Sequence, residues 1–443
     1  MPRKADRIDT TRAALDVYLH GHLVGSLGEH EADVWFRYQP VDDDANALAS
    51  RALSVRMPLR ALTYGHRDTL VFFDNLLLES DTRDELARLE QRDRSDVAGL
   101  LGRVGAECSG AVSIWPTGTA VQAVSAYREY SQPDLEALFD ERHGERLTQA
   151  QLESRQVMSG VQRKLVFRRY KDGWHLPLQG APGTHILKRA SGRYDGLVAN
   201  ELACLKCYAA LDLHVPEARA IGHSVADADG LPEPRLIVIQ RFDRVESTDK
   251  LDGAMPNVQR LHQEDMCQVT GCLPKRKYQR DGGPGLRDLA VALRRFSTRP
   301  AHDLQQLLTA TIANVCLGNA DAHAKNFALL YTDTGPQLAP FYDVVSTEVY
   351  PALSPHLSMR VGHAYDPSAL RRDDVIRLAA DLSVAPALVR SAVEHVTMTL
   401  RAVRDDVLNQ VAKEIGGTVD VLNRMQVLLE SRVPVIEQMA RSL

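Results

Sequence analysis

An α+β fold is predicted, with strands concentrated in the first part of the chain and helices in the rest. Three observations predict it. Apolar residues alternate with polar ones at Leu15, Val17 and Leu19, and again at Val34, Phe36 and Tyr38, the period of half-buried strands. Leu236-Ile237-Val238-Ile239-Gln240 is a continuous apolar run, the mark of a strand buried on both faces. Helical periodicity then takes over, strongly over 304–317 and again from Ser368 to the end, where three or four amphipathic helices are expected. A chain of 443 residues is too long for one simple core, so two or three subdomains are expected.

The elements follow in order. Residues 14–116 form a β-rich module that opens with a hairpin turning at His20-Gly21-His22. A helical region starts at Phe72-Phe73-Asp74-Asn75 and continues to Glu90, and Gly110 to Trp115 closes the module as a strand before Pro116. The stretch 117–156 is a linker with a charged helix from Pro133 to Arg142. Lys164 to Phe167 is a strand, Lys171-Asp172-Gly173 a turn and Trp174 to Leu178 the return. Thr184 to Lys188 is a further strand, Leu197 to Leu211 a helix ended by His214-Val215-Pro216, and Leu236 to Gln240 the buried strand. The expected domains are 1–116, a linker and helix 117–156, a strand-rich lobe 157–245, and a helical lobe 246–443 that carries a surface loop at Asp281-Gly282-Gly283-Pro284-Gly285.

Composition excludes several classes. Apolar residues make up 44% and charged residues 25%, ordinary for a soluble globular protein. The net charge of −5 argues against direct, strong DNA binding, and DNA is expected only through a partner. No apolar segment follows the charged N-terminus and no run approaches a membrane span, so a cytoplasmic location without membrane contact is expected. Six cysteines in so long a chain make no disulfide framework; Cys204 and Cys207, although spaced C-x-x-C, are expected to be packed thiols on a helix.

Chemistry concentrates in Asp321-Ala322-His323-Ala324-Lys325-Asn326, followed by Phe341-Tyr342-Asp343. Protein kinases use this order: an Asp that orients and deprotonates the acceptor hydroxyl, then an Asn and a second Asp that hold Mg2+. Carboxylate and amide oxygens suit that hard ion. Asp321 is therefore the candidate base and Asn326 and Asp343 the candidate metal ligands; a helix cap is the alternative role for Asp321. His323 and Lys325 are candidates to support the loop, and Lys325 also to meet the γ-phosphate. Lys188, at the end of a strand, is the candidate partner of the α- and β-phosphates, with a snorkelling surface lysine as the alternative. Glu201 on the next helix competes with Asp195 to pair with it, and favourable placement in the helix's first turn is its alternative. The small-residue turn Ser159-Gly160-Val161-Gln162-Arg163-Lys164, just before a strand, brings backbone N–H groups towards phosphates or is simply a turn. Gln240-Arg241-Phe242-Asp243-Arg244 follows the buried strand, where kinases join their lobes and hold adenine; a local salt bridge of Asp243 with Arg241 or Arg244 is the alternative.

These motifs, in this order, resemble the HipA-type serine/threonine kinases of bacterial toxin–antitoxin modules over nearly the whole chain. Phe72 to Leu77 and Gly105 to Val112 resemble the family's N-terminal subdomain, Gly160 to Lys164 its phosphate loop, and Thr184 to Lys188 its ATP-lysine strand. Gln263 to Gln268, Asp281 to Gly285, Asp321 to Phe327 and Pro340 to Asp343 match further family segments. The resemblance implies a two-lobed protein-kinase-like fold with a mostly helical C-lobe, and ATP and Mg2+ as cofactors. It also implies a helix-turn-helix antitoxin of the HipB type as partner and a protein substrate such as an aminoacyl-tRNA synthetase, whose phosphorylation stops translation and favours growth arrest or persistence. One position departs. The serine that the family autophosphorylates three residues before the loop glycine is Val157 here, and Ser159 and Ser154 are the nearest hydroxyls. Ser159 is the expected displaced regulatory site, because a phosphate there would place nearly two negative charges beside the nucleotide.

Two rivals are weighed against this reading. A small-molecule phosphotransferase shares the Asp-x4-Asn logic but lacks the module at 14–116. A co-repressor with an inert kinase core would not need Asp321, Asn326 and Asp343 together.

Overall fold

The computed structural model describes residues 13–30, 33–40, 52–59, 61–119, 126–139, 144–158, 162, 164–189, 194–222, 236–247, 255–417 and 419–441. The fold is α+β. Contacts cluster into two compact units, each assembled from segments distant in the chain. The first comprises Met1–Thr184, Asp243–Glu264 and Gly271–Pro274; the second comprises His185–Phe242, Asp265–Thr270 and Lys275–Leu443.

The first unit opens with β1 (Ala13–Leu19), β2 (His22–His30), β3 (Asp33–Tyr38), β4 (Thr63–Tyr64) and β5 (Val112–Pro116), in one sheet ordered β4-β3-β2-β1-β5. The β1–β2 hairpin turns at His20-Gly21, where both residues take positive φ and glycine does so without strain. Leu15, Val17 and Leu19 face the core as their alternation requires, and Phe36, Phe72, Phe73 and Leu101 fill it. The buried Tyr38 hydroxyl donates to the Met57 carbonyl (2.7 Å) and accepts from the Leu53 N–H (2.8 Å), which fixes the loop under the sheet. The helical region expected from Phe72 to Glu90 is two helices, His66–Asp74 and Ser80–Leu89; between them the Asn75 side chain donates to the carbonyls of Val71 and Cys272. The charged helix expected from Pro133 to Arg142 is the shorter Gln132–Leu138, with a Ser131/Asp134 capping box; β6 (Ala126–Tyr130) precedes it, and Gly144–Ser154 is a further helix that was not expected. β7 (Lys164–Tyr170) and β8 (Gly173–Leu178) make the expected hairpin, and β6 pairs with β8.

A buried ionic network closes this unit. Arg244 lies fully buried, with its guanidinium on Glu107 (2.8 Å), on the carbonyls of Cys108 and Gly110, and on Asp243 (3.1 Å). Arg260 takes the other Glu107 oxygen (2.6 Å) and the Gly180 carbonyl. Asp243 accepts from the Gly110 N–H (2.7 Å) and the Gln263 amide (2.9 Å). The charges are therefore paired and hydrogen-bonded, as burial requires.

His262 is buried close by and donates Nε2–H to the Leu53 carbonyl (2.8 Å). Burial of the imidazolium, with His20 adding to it, lowers the pKa from 6.5 to about 4, against the opposing pull of the Leu53 bond and Asp243. The unfolded chain takes up this proton near 6.5 while the folded protein does not. Stability from this residue is therefore complete above that pH and lost as the pH falls towards 4, by up to about 1.4 kcal/mol per pH unit. All three tryptophans, Trp35, Trp115 and Trp174, belong to this unit, so their fluorescence reports its unfolding. Urea midpoints are expected to fall from pH 7 to pH 5, and His262→Gln to flatten that dependence; an equal slope in the variant would count against it.

In the second unit β9 (His185–Arg189), β10 (Ala218–Ile221) and β11 (Leu236–Gln240) are antiparallel neighbours in the order β10-β11-β9. The helix Leu197–Ala210 follows β9, and helices Leu286–Phe296, Pro300–Leu317, Arg372–Leu382, Pro386–Ile415 and Asp420–Arg441 build most of the remainder. The last three are the amphipathic helices expected after Ser368. No helix among the described residues is long and apolar enough to cross a membrane.

Candidate active site

Lys188 stands on β9 opposite Ile237 of β11 and is buried. Its ammonium donates to Glu201 (2.7 Å) and to Asp343 (2.6 Å). Burial opposes its charge, but the two carboxylates outweigh that, and the pKa is raised above the ordinary lysine value. Lys188 thus keeps its proton, and it is not a snorkelling surface lysine. Glu201 lies in the second turn of its helix, whose N-cap Gly196 takes φ of 69° and leaves no room for a Cβ, which would meet Val421 at 2.4 Å. Glu201 is itself buried, and between the two acids weighed for Lys188 it is the one in contact.

The neighbouring residue, Asn200, locks the segment after Asp343. Its buried amide accepts from the Ser346 N–H (2.8 Å) and donates to the Ser346 carbonyl (2.9 Å). Asp343 itself takes φ of 58°, a left-handed conformation that Asp tolerates better than most side chains. Its carboxylate remains about a third exposed. Phe341 packs edge-on against Tyr208 and Phe327, and its N–H donates to the His214 carbonyl.

The helix Pro300–Leu317 ends at Gly318 in the left-handed conformation, so the cap is supplied there and not by Asp321. A turn of short hydrogen bonds then builds the candidate catalytic segment. The Asp321 carbonyl accepts from the His323 N–H (2.8 Å) and from the Asn326 side-chain amide (2.9 Å), and Ala324–Asn326 is a single 3-10 turn. That bond uses the nitrogen of the Asn326 amide and not its oxygen. The Tyr342 hydroxyl donates to the Lys325 carbonyl (2.7 Å), tying the Asp343 segment to this loop. The Asp321 carboxylate is exposed and accepts from the Tyr278 hydroxyl at 2.8 Å.

Lys325 is buried and donates to Asp265 (2.7 Å), whose other oxygen accepts from the Gln268 N–H. It braces the loop from within. His323 is buried and meets the Tyr278 ring edge-on at 5.1 Å. Gln240 ends β11 with an exposed side chain, and Phe242 stacks at a tilt on Tyr342, 5.7 Å between centroids. Asp243 forms the salt bridge with Arg244 that its sequence context raised, in the network of the first unit.

In the expected phosphate loop, Ser159, Gly160, Val161 and Arg163 lie outside the described residues. Gln162 is half-buried, and Lys164 is buried at the start of β7, its carbonyl accepting from Gln151. Val157 is part of the first unit's apolar core. Ser154 is fully buried, and its hydroxyl donates to the Ala150 carbonyl at 2.6 Å. Cys204 and Cys207 are both buried, and burial raises both thiols, so they are packed and inert.

The structure thus joins Lys188, Glu201 and Asp343 directly, and Asp321 to Asn326 through one carbonyl. Sequence reasoning missed Asn200 and Tyr278. Asn200 carried a signal, a polar amide beside Glu201 in a Leu197 to Leu205 stretch whose other residues are apolar. Tyr278 carried none, since it stands in a charged run.

Two family models match: the HipA N-terminal domain over residues 15–115 and the HipA-like C-terminal domain over residues 157–406. The chain is 32% identical over 418 residues to the putative kinase Y4mE of Sinorhizobium fredii, covering 93% of this chain and 94% of that protein. It is 26% identical over 375 residues to the serine/threonine-protein kinase toxin HipA of Shewanella oneidensis, covering 80% of each. Among solved structures, the Shewanella oneidensis complex of HipA, HipB and operator DNA contains a chain that superposes with a TM-score of 0.76 at 20% identity, covering 96% of this chain and 99% of that one. The protein therefore belongs to the HipA family.

Proposed function

We propose that this chain is a serine/threonine protein kinase that acts as the toxin of a toxin–antitoxin pair. The observation that carries the proposal is the charged Lys188 held between Glu201 and Asp343. Kinases need a Lys–Glu ion pair in place, together with a metal-binding Asp, before phosphoryl transfer. ATP with Mg2+, when bound, supplies the phosphoryl group and the charge neutralisation that its transfer needs. The residues present fit that pair. Asp343 offers a partly exposed carboxylate and Asn326 an amide oxygen, and Mg2+ usually takes only one or two protein carboxylates besides phosphate oxygens.

Lys188 would supply its charge to the α- and β-phosphates of bound ATP. By their match to the family's motifs, Ser159, Gly160, Val161, Gln162 and Lys164 would meet the phosphates, and Gln240, Phe242 and Asp243 the adenine. The Asp243 carboxylate is occupied by Gly110, Gln263 and Arg244, so its part is played through backbone groups. Asp321 orients the acceptor hydroxyl and takes its proton, while His323 and Lys325 hold the loop. The Asp265 contact favours loop support over γ-phosphate contact as the role of Lys325.

The acceptor is a protein hydroxyl, on an aminoacyl-tRNA synthetase as in the family, and its modification inhibits translation. The partner is a HipB-type helix-turn-helix antitoxin that neutralises the kinase and carries it to DNA. The solved Shewanella oneidensis complex supports that pairing. The kinase works in the cytoplasm. Ser159 is the regulatory phosphosite, since the buried Ser154 hydroxyl is committed to its own helix.

Incubation of a cognate cell lysate with γ-labelled ATP, Mg2+ and the purified chain tests this reading. Label is expected in a protein band and, by peptide mapping, on Ser159 of the kinase. Label in a small metabolite, or in nothing, overturns the kinase assignment; modification elsewhere in the chain overturns the Ser159 assignment.

A further inference from the structure

We infer that Tyr278 is a positioning residue for Asp321, holding one carboxylate oxygen so that the other is presented to the acceptor hydroxyl. This inference rests on the kinase reading for its catalytic meaning, and on geometry for the contact itself. Among the described residues, the Tyr278 hydroxyl is the one hydrogen-bond donor to the Asp321 carboxylate, at 2.8 Å onto Oδ1. An exposed carboxylate on a short turn has two free side-chain torsions, and a single fixed donor removes much of that freedom.

Tyr278 is itself built to be fixed. Its carbonyl accepts from both the Asp281 and the Gly283 N–H, each at 3.0 Å. Gly282 takes φ of 84°, and a Cβ on Gly283 would meet the Arg276 carbonyl at 1.9 Å, so the loop requires both glycines. The Asp281 to Gly285 segment therefore shapes the turn that aims the phenol.

The two sides of the contact share one frame. The Gln279 N–H donates to the Ser358 carbonyl (3.1 Å), and the Ser358 N–H and hydroxyl both donate to the carbonyl of Ala320, next to Asp321. Gln279 also accepts from the Arg360 N–H (2.9 Å). The ring meets His323 of the catalytic turn edge-on at 81°, and Lys277 lies 5.5 Å from its centroid. These ring contacts do not use the hydroxyl, so Tyr278→Phe removes the bond to Asp321 and leaves the packing.

The test measures label transfer from γ-labelled ATP to the lysate protein that the wild-type chain modifies, over an ATP series. Tyr278→Phe is expected to lower the maximum rate roughly 10- to 100-fold, the scale of a hydrogen bond to a charged group, with half-saturating ATP unchanged. An undiminished or raised maximum rate overturns the inference. So does a loss accompanied by a shifted ATP dependence and a lowered melting temperature, which marks a merely structural role. A second arm needs no activity. In protein labelled with 3-fluorotyrosine, the resonance that Tyr278→Phe deletes is expected to move in Asp321→Ala; a resonance that stays put overturns the contact. Wild-type protein that labels nothing overturns the kinase reading, and the second arm then decides the contact alone.

Discussion

Asp321→Asn is expected to lower phosphoryl transfer roughly 10²- to 10⁴-fold, the usual scale for losing a positioned base. The substitution is close to isosteric. The amide oxygen still accepts the Tyr278 hydroxyl, and the backbone carbonyl still accepts His323 and Asn326, so the turn survives. What disappears is the negative charge to which the proposed mechanism gives the orienting of the acceptor hydroxyl and the uptake of its proton. Nucleotide affinity is expected to hold, because Lys188, Glu201 and Asp343 are untouched. Labelled ATP and a lysate target measure the rate, and expression in cells measures the consequence. Growth arrest by the variant equal to that by the wild type would refute a toxin that works through its kinase.

Arg244→Ala is expected to cost about 3–5 kcal/mol, the scale of breaking a buried ion pair from one side. The side chains of Arg244 and Glu107 are both wholly buried. After substitution Glu107 keeps Arg260 on its other oxygen but loses its second cation, and the carbonyls of Cys108 and Gly110 lose their donor. Asp243 loses its ion pair with Arg244 as well. Arg244→Lys restores the charge without the planar fork, so it should recover only part of the loss. Tryptophan fluorescence in urea reads the first unit directly. A loss under about 1 kcal/mol for Arg244→Ala would mean that the network is dispensable, as some buried pairs are.

Much of the site was legible because each part leaves a local mark. Lys188 ends an apolar strand, Gly318 ends a periodic helix, and Asp321 and Asn326 keep a fixed spacing within one turn. The contacts that hold these parts were not legible, because they join residues far apart in the chain. Tyr278 reaches Asp321 across 43 residues, Asn200 reaches Ser346 across 146, and Arg244 reaches Glu107 across 137. Of these only Asn200 stands out from its neighbours, and no local pattern names the partner that any of the three reaches. Lys-Arg-Lys-Tyr-Gln-Arg at 275–280 looks like a solvated charged face, although Lys277 is buried. The helices at 66–90 were merged for a related reason. Their break depends on an Asn75 amide that bonds the carbonyl of Cys272, 197 residues away.

Ser154 offers a practical reporter of local opening. Its hydroxyl is sealed within the last turn of Gly144–Ser154, bonded to a carbonyl of its own helix. No kinase can reach that oxygen until the turn opens, so a phosphate found there would record molecules caught in local unfolding. The occupancy of that phosphopeptide, followed against temperature or denaturant, would time the opening of one helix end.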